Sequence, residues 1–191
     1  GIISHGNKLI KRPAGGGAVS AVQMAELSEQ KVHFFTSLGK DDIGEKCFKK
    51  LSSLGLNAHV AWRDKPTRRG YSFVDKNGDR AITVIGERLQ PNAKDPLPWN
   101  LLSKFDGIFI TATDSEVIRE CRKAKILCAT PRLGIQEINK SNIEFDLFSL
   151  TCLNSDTLDK ALAARVLLLA RSSIACLDDL ITVVKFFISL A

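Results

Sequence analysis

The sequence predicts an α/β protein with a parallel sheet, interrupted by a small antiparallel flap. Three observations predict it. A glycine run, Gly15-Gly16-Gly17, opens straight into a helix-periodic segment, which is followed by a short apolar strand and a second helix. Asn77-Gly78 stands between two short β-prone runs, the strongest local signal for a hairpin. Short apolar strands and a helix then alternate again from Gly107 onwards. Such alternation implies parallel strands covered by helices.

The elements follow in order. After the glycines, Ala18, Val19, Ala21, Val22, Ala25 and Leu27 give one broad apolar helix face. Val32-His33-Phe34-Phe35-Thr36 is rich in β-formers and reads as a buried strand. An Asp in Lys40-Asp41-Asp42 can cap the next helix, whose apolar positions are Ile43, Cys47, Phe48, Leu51 and Leu54. Gly55 is its C-terminal stop. Asn57–Trp62 can be a strand, and Tyr71–Val74 and Ala81–Ile85 form the flap. Pro91, Pro96 and Pro98 make a loop. Gly107–Thr111, Lys125–Thr130 and Phe145–Cys152 read as strands, with a helix over Ser115–Lys123 capped near Asp114. Leu158, Leu162, Val166 and Leu169, then Leu177, Leu180, Ile181 and Val184, have helical spacing. The division expected is an α/β domain over 1–156, with lid strands within 57–87, and an atypical apolar helical tail over 157–191.

Composition narrows the function. Of the 191 residues, 45% are hydrophobic and 25% charged, as in ordinary globular domains. No stretch reaches the roughly 18 uncharged apolar residues of a membrane span. The most apolar region, 162–191, is broken by Arg165, Arg171, Asp178, Asp179 and Lys185, so no membrane partner is expected. Gly1-Ile2-Ile3-Ser4-His5 offers no charged stretch followed by an apolar one, so no signal peptide is expected. The net charge is +6, with basic clusters at Lys8, Lys11 and Arg12 and at Arg63, Lys65, Arg68 and Arg69. These read as a solvated basic surface. No basic helix with a reading face accompanies them, so nucleic acid is not an expected partner. The five cysteines (Cys47, Cys121, Cys128, Cys152 and Cys176) show no C-x-x-C spacing. They read as small buried hydrophobes in a reducing, cytoplasmic compartment. His5, His33 and His59 are scattered, so no metal held by His or Cys is expected.

The glycine run carries the chemistry. Glycines let the backbone approach a ligand, and the helix behind them offers unpaired N–H groups. An anion or a polyhydroxyl ligand suits such a turn. No Gly-Lys-Ser/Thr follows, so it is not a nucleotide-binding Walker loop. Nor is it G-x-G-x-x-G, because Ser20 stands third after Gly17. A plain flexible turn is the bland alternative.

Ala14-Gly15-Gly16-Gly17-Ala18, the helix behind it and Phe34-Phe35-Thr36-Ser37-Leu38-Gly39-Lys40-Asp41-Asp42-Ile43-Gly44 together resemble the first signature region of ribokinase-like (PfkB-type) carbohydrate kinases. Lys65-Pro66-Thr67-Arg68-Arg69 and Asn77-Gly78-Asp79-Arg80 match the Pro-Thr pair and lid strands of that family. The resemblance covers residues from about 12 to about 155. It implies a partial three-layer α/β/α sandwich with a small β-strand lid. It implies a sugar as substrate, with ATP and Mg²⁺ as cofactors. It places Gly15, Gly16, Gly17 and Thr67 at the sugar. It sets Asn154 against the Asn of an N-x-x-E motif near the phosphates, although the fourth position here is Thr157. Gly39, Asp41 and Gly44 read as turn and cap residues. Lids of some relatives form dimer contacts, so a homodimer through the lid or an exposed sheet edge is expected.

The departures matter. Val19 stands where many members carry an Asn. The second family signature, Asp-Thr-x-Gly-Ala-Gly-Asp, is absent, and no glycine follows Gly134. That signature holds the catalytic Asp and the phosphate cradle, so no catalytic residue is assigned. The expectation is a truncated, catalytically incomplete carbohydrate kinase; the alternative is a non-catalytic sugar-binding protein of the same fold. A dinucleotide-binding domain would need an acidic residue shortly after a second strand, and His33–Leu38 offers none.

Overall fold

The computed structural model describes residues 6, 8–28 and 31–148. Helix α1 (Gly16–Leu27) leads to strand β1 (His33–Gly39), helix α2 (Asp42–Ser53) and strand β2 (Asn57–Arg63). Strands β3 (Arg69–Val74) and β4 (Arg80–Ile85) follow. A proline loop and a 3₁₀ turn (Trp99–Lys104) then lead to β5 (Gly107–Ile110), α3 (Ser115–Cys121), β6 (Ile126–Ala129), α4 (Ile135–Ser141) and β7 (Leu147–Phe148). Asn154 and the segment 157–191 lie outside the described residues.

Parallel pairing dominates, as the alternation requires. β1 pairs β2 in parallel, from His33 opposite Asn57 to Gly39 opposite Arg63. β5, β6 and β7 form a second parallel sheet in that order. A parallel neighbour needs a long crossover, and α2, α3 and α4 supply one each. β3 and β4 form a separate antiparallel hairpin closed at Gly78. The strand over 57–63 therefore belongs to the parallel sheet, and the antiparallel hairpin within 57–87 consists of β3 and β4.

Local chemistry sets the helix ends. Asp41 caps α2 by accepting from Gly44 N–H at 2.7 Å. Asp114 caps α3 by accepting from Val117 N–H at 2.9 Å. α2 stops at Gly55, whose φ of 84° is the left-handed conformation a terminating glycine adopts. α4 was not expected from the sequence. It has seven residues and offers little more than Ile135 and Ile138 as a helical pair.

β1 joins two cores by its two-residue period. Phe34 packs with Ala21, Leu51 and Leu56 beneath α1 and α2. Phe35, on the opposite face, packs with the cluster of Leu102, Ile110, Val117, Ile118, Leu127 and Phe145. Its ring stacks on Trp99 with centroids 5.5 Å apart. The two parallel sheets thus share side chains but no hydrogen-bonded ladder. Cys121 lies in the second core and Cys128 is buried in β6, and burial pushes both thiols up to about 12. They act as small hydrophobes, as expected.

Two polar ties hold the proline loop and the base of β1. Arg63, at the end of β2, grips Asp95 with both guanidinium nitrogens and also donates to Gln90 C=O at 2.8 Å. Burial alone would raise the Asp95 carboxyl, but Arg63 and Asn92 N–H outweigh it and hold it below the usual carboxylate value. At the other end of β1 and β2, the Asn57 amide donates to His33 Nε2 at 3.1 Å. That fixes the proton on His33 Nδ1, which donates to His59 Nε2 at 2.9 Å. The arrangement needs both rings neutral.

This pair gives a pH dependence. Both histidines titrate below the usual 6.5, His33 through burial and then Lys31, His59 through burial and then His33. The unfolded chain therefore binds more protons than the folded one just below 6.5. The contribution is complete above that value and is lost as pH falls through the depressed folded values. Chemical denaturation between about pH 7.5 and about pH 5.5 should show stability falling with acid, and His59→Gln should flatten that slope. An unchanged slope in the variant would refute the assignment.

Candidate functional site

The site sits at the C-terminal ends of the parallel strands, where open α/β sheets usually receive ligands. Gly39 ends β1, Thr111 follows β5, and Arg132 follows β6. The glycine turn enters α1 beside them. Gly15 holds φ at 102°, which a side chain would strain, and it gives α1 no capping side chain. A Cβ on Gly17 would lie 2.8 Å from Thr111 Oγ1 and 3.5 Å from the Phe34 ring. A Cβ on Gly16 would lie 3.4 Å from Arg132 Nη1. The turn is thus wedged between β1 and the loops after β5 and β6.

The base of the lid reaches the same loops. Arg88, just past β4, donates from Nη2 to Thr111 C=O and from Nη1 to Arg132 C=O, both at 3.1 Å. Thr111 and Arg132 are therefore touched by the glycine turn on one side and by the lid's exit on the other. This convergence brings together Gly16, Gly17, Thr111, Arg88 and Arg132. The sequence singled out only the glycines. Thr111 carried one available signal, its position just past a strand's C-terminal end. Arg88 and Arg132 carried none, being isolated basic residues in loops.

Thr67 is held differently. It is buried, with 7% of its surface exposed, at the entry to the lid. Its hydroxyl donates to Asp41 Oδ1 at 2.6 Å and accepts from Gly39 N–H at 3.0 Å. Its own N–H donates to Asp41 Oδ2 at 2.9 Å. The Asp41 carboxyl is held below its usual value, first by the Thr67 hydroxyl and then by the N–H groups of Gly44 and Thr67 and by Arg69. The backbone of 65–67 lies directly on Gly39, where a Cβ would come within 2.1 Å of Lys65 C=O. Asp41 thus serves as a helix cap and as a clamp on the lid strand. In this structure the polar groups of Thr67 face the clamp.

A second depression, lined by Asn92, Lys94, Asp114, Ser115 and Glu116, lies away from the glycine turn. Asp114 there is already engaged by Val117 N–H and Ala93 N–H. The chemistry around the glycine turn, by contrast, is that of a backbone turn and guanidinium groups. Such groups suit hydroxyls and anions.

Comparisons with known proteins show the family and the fold. A family model described as pfkB family carbohydrate kinase matches residues 2–163. No curated protein matches the sequence. Among solved structures, the ribokinase from Giardia lamblia is similar in fold, with a TM-score of 0.55 and 15% identity over 77% of this chain and 52% of that one. A protein assigned as a ribokinase II from E. coli, in its apo form, gives a TM-score of 0.57 and 14% identity over 83% of this chain and 60% of that one. The chain therefore spans less than two thirds of the length of either structure. The fold is a partial ribokinase-like α/β fold, and the chain belongs to the pfkB family of carbohydrate kinases.

Proposed function

We propose that this chain forms the sugar-binding half of a carbohydrate kinase whose parent reaction transfers the γ-phosphoryl group of ATP to a sugar hydroxyl in the cytoplasm. The observation that carries the reading is the meeting of the glycine turn and the lid's exit on Thr111 and Arg132. Backbone N–H groups at Gly16 and Gly17 would receive sugar hydroxyls. The lid would close over them and exclude water, which otherwise competes as phosphoryl acceptor. The Thr67–Asp41 clamp would hold the lid's first strand in register with the turn, placing Thr67 beside the sugar as a support for the lid.

The nucleotide side is another matter. Among the described residues no group of three His, Cys, Asp or Glu side chains converges as a metal site. The 191 residues contain no Asp-Thr-x-Gly-Ala-Gly-Asp. The described residues do not fit Mg²⁺ or the ATP phosphates, so no step is routed through them, and Asn154 stays a proposed nucleotide contact. Phosphoryl transfer rests on positioning and charge stabilisation by such groups. By itself the chain is expected to bind sugar and to transfer no phosphate. A sugar-binding protein that does no chemistry is the second reading.

The lid also presents a surface. Cross-strand pairing puts Tyr71, Phe73, Ala81 and Ile85 on one face and Val74, Ile82 and Val84 on the other. All of β3 and β4 is exposed, with Phe73 at 67% and Ile82 at 57%. An isolated hairpin is marginal in water, so one face over the sugar and one against a second copy would stabilise it.

Calorimetry of the full 191-residue chain against neutral and phosphorylated sugars, with and without ATP, tests the main reading. One sugar should bind regardless of ATP, and Gly17→Val should weaken it by about tenfold or more with the fold retained. Absence of sugar binding across the panel would refute the proposal. Sedimentation should show a dimer that only one of Ile82→Ser and Phe73→Ser, the change on the face against the second copy, shifts towards monomer; a monomeric parent, or a dimer that neither change shifts, would refute the pairing.

A further inference from the structure

Three arginines lie around the loops that meet the glycine turn. Arg88 is anchored by the carbonyls of Thr111 and Arg132. The Arg132 guanidinium comes within 3.4 Å of the Cβ position of Gly16. Arg68 lies at the foot of the lid, its Cα 3.4 Å from the Cβ position of Gly86, two residues before Arg88. All three arginines are exposed. Arg88 titrates below the usual guanidinium value, through desolvation first and then through the charges of Arg132 and Arg68.

None of these three arginines joins an ion pair among the described residues. The basic residues that do are Lys40, Arg63, Lys65, Arg122, Lys123, Lys125 and Lys140. Glu87, the acid nearest to them in sequence, is taken by Lys65. α1 adds to the imbalance. Its first turn contains no acidic residue, and its cap position is a glycine. Three like charges gathered beside an uncompensated helix start repel one another unless an anion joins them. Guanidinium forks match phosphate oxygens in geometry as well as in charge. The anchoring of Arg88 uses two Nη donors and fixes the group in place, which leaves less entropy to lose on binding.

We propose that Arg68, Arg88 and Arg132 form an anion subsite beside the glycine turn, and that the sugar this chain binds carries a phosphate monoester. The sugar hydroxyls meet the turn and the phosphate meets the arginines. A dianionic phosphate balances three guanidinium groups better than a carboxylate does. The inference rests on the sugar-binding reading above and narrows its substrate class to a phosphosugar.

The test is a matched titration of the full chain at fixed ionic strength. The probes are pentose and hexose monophosphates, the same sugars unphosphorylated, inorganic phosphate and ATP. Arg68→Gln and Arg132→Gln are the variants, because neither side chain makes a hydrogen bond among the described residues that its loss would break. Their melting curves should match the parent. A sugar phosphate should bind about tenfold or more tightly than its parent sugar, and either variant should erase most of that difference. Equal binding of sugar and sugar phosphate would overturn the subsite and leave sugar binding standing. Inorganic phosphate or ATP binding as tightly as any sugar phosphate would overturn it too, as a simple anion or nucleotide site. Binding of no sugar of either kind would overturn the sugar-binding reading itself, and the inference with it.

Discussion

The Asp41 carboxylate is the constraint on which the rest of this arrangement depends. One oxygen takes Gly44 N–H and the Thr67 hydroxyl, and the other takes Thr67 N–H. One side chain thereby starts α2, fixes the turn after β1 and holds the chain where it enters the lid. Each bond is individually modest, but a charged acceptor strengthens all three and leaves buried donors satisfied. The close approach of 65–67 to Gly39 makes the tie specific, since no side chain can stand between the two backbones. Arg63 and Asp95 do the same at the end of β2, where the proline loop begins its return towards β5. The C-terminal ends of β1 and β2 are thus tied by charge-assisted bonds, while apolar packing holds the strand bodies.

Most of the fold was legible because local signals agreed with one another. The glycine run, the Asp cap, the Gly55 stop and the Asn-Gly turn each specify a local geometry, and the structure adopts every one. Periodicity could not say which partner a strand would take. The strand over 57–63 lay next to the hairpin in sequence, yet it pairs in parallel with β1 across α2, with Ala61 buried in it. α4 was hidden for a different reason: two isoleucines in seven residues carry too little period to separate a helix from a loop.

The site was legible in part. Backbone-driven features, the glycines above all, announce themselves in sequence because only one residue type serves. Long-range features do not. Arg68, Arg88 and Arg132 come from three separate loops, and only the folding of β5 and β6 beside the lid brings them together. Thr67 shows the opposite case. The family pattern put it at the sugar, and the structure reveals a second occupation for it in the Asp41 clamp. A small side chain that satisfies two backbone strands can mark a binding region without itself being the ligand's partner.

The most direct test of this account is a double-mutant cycle on the clamp, with Asp41→Asn, Thr67→Val and the pair, followed by chemical denaturation. Loss of the shared bond should make the two changes non-additive, with a coupling energy of about 1 to 3 kcal/mol. Additive effects would mean that the chain entering β3 is not held to the β1–α2 turn through this carboxylate, and its placement against Gly39 would need another cause.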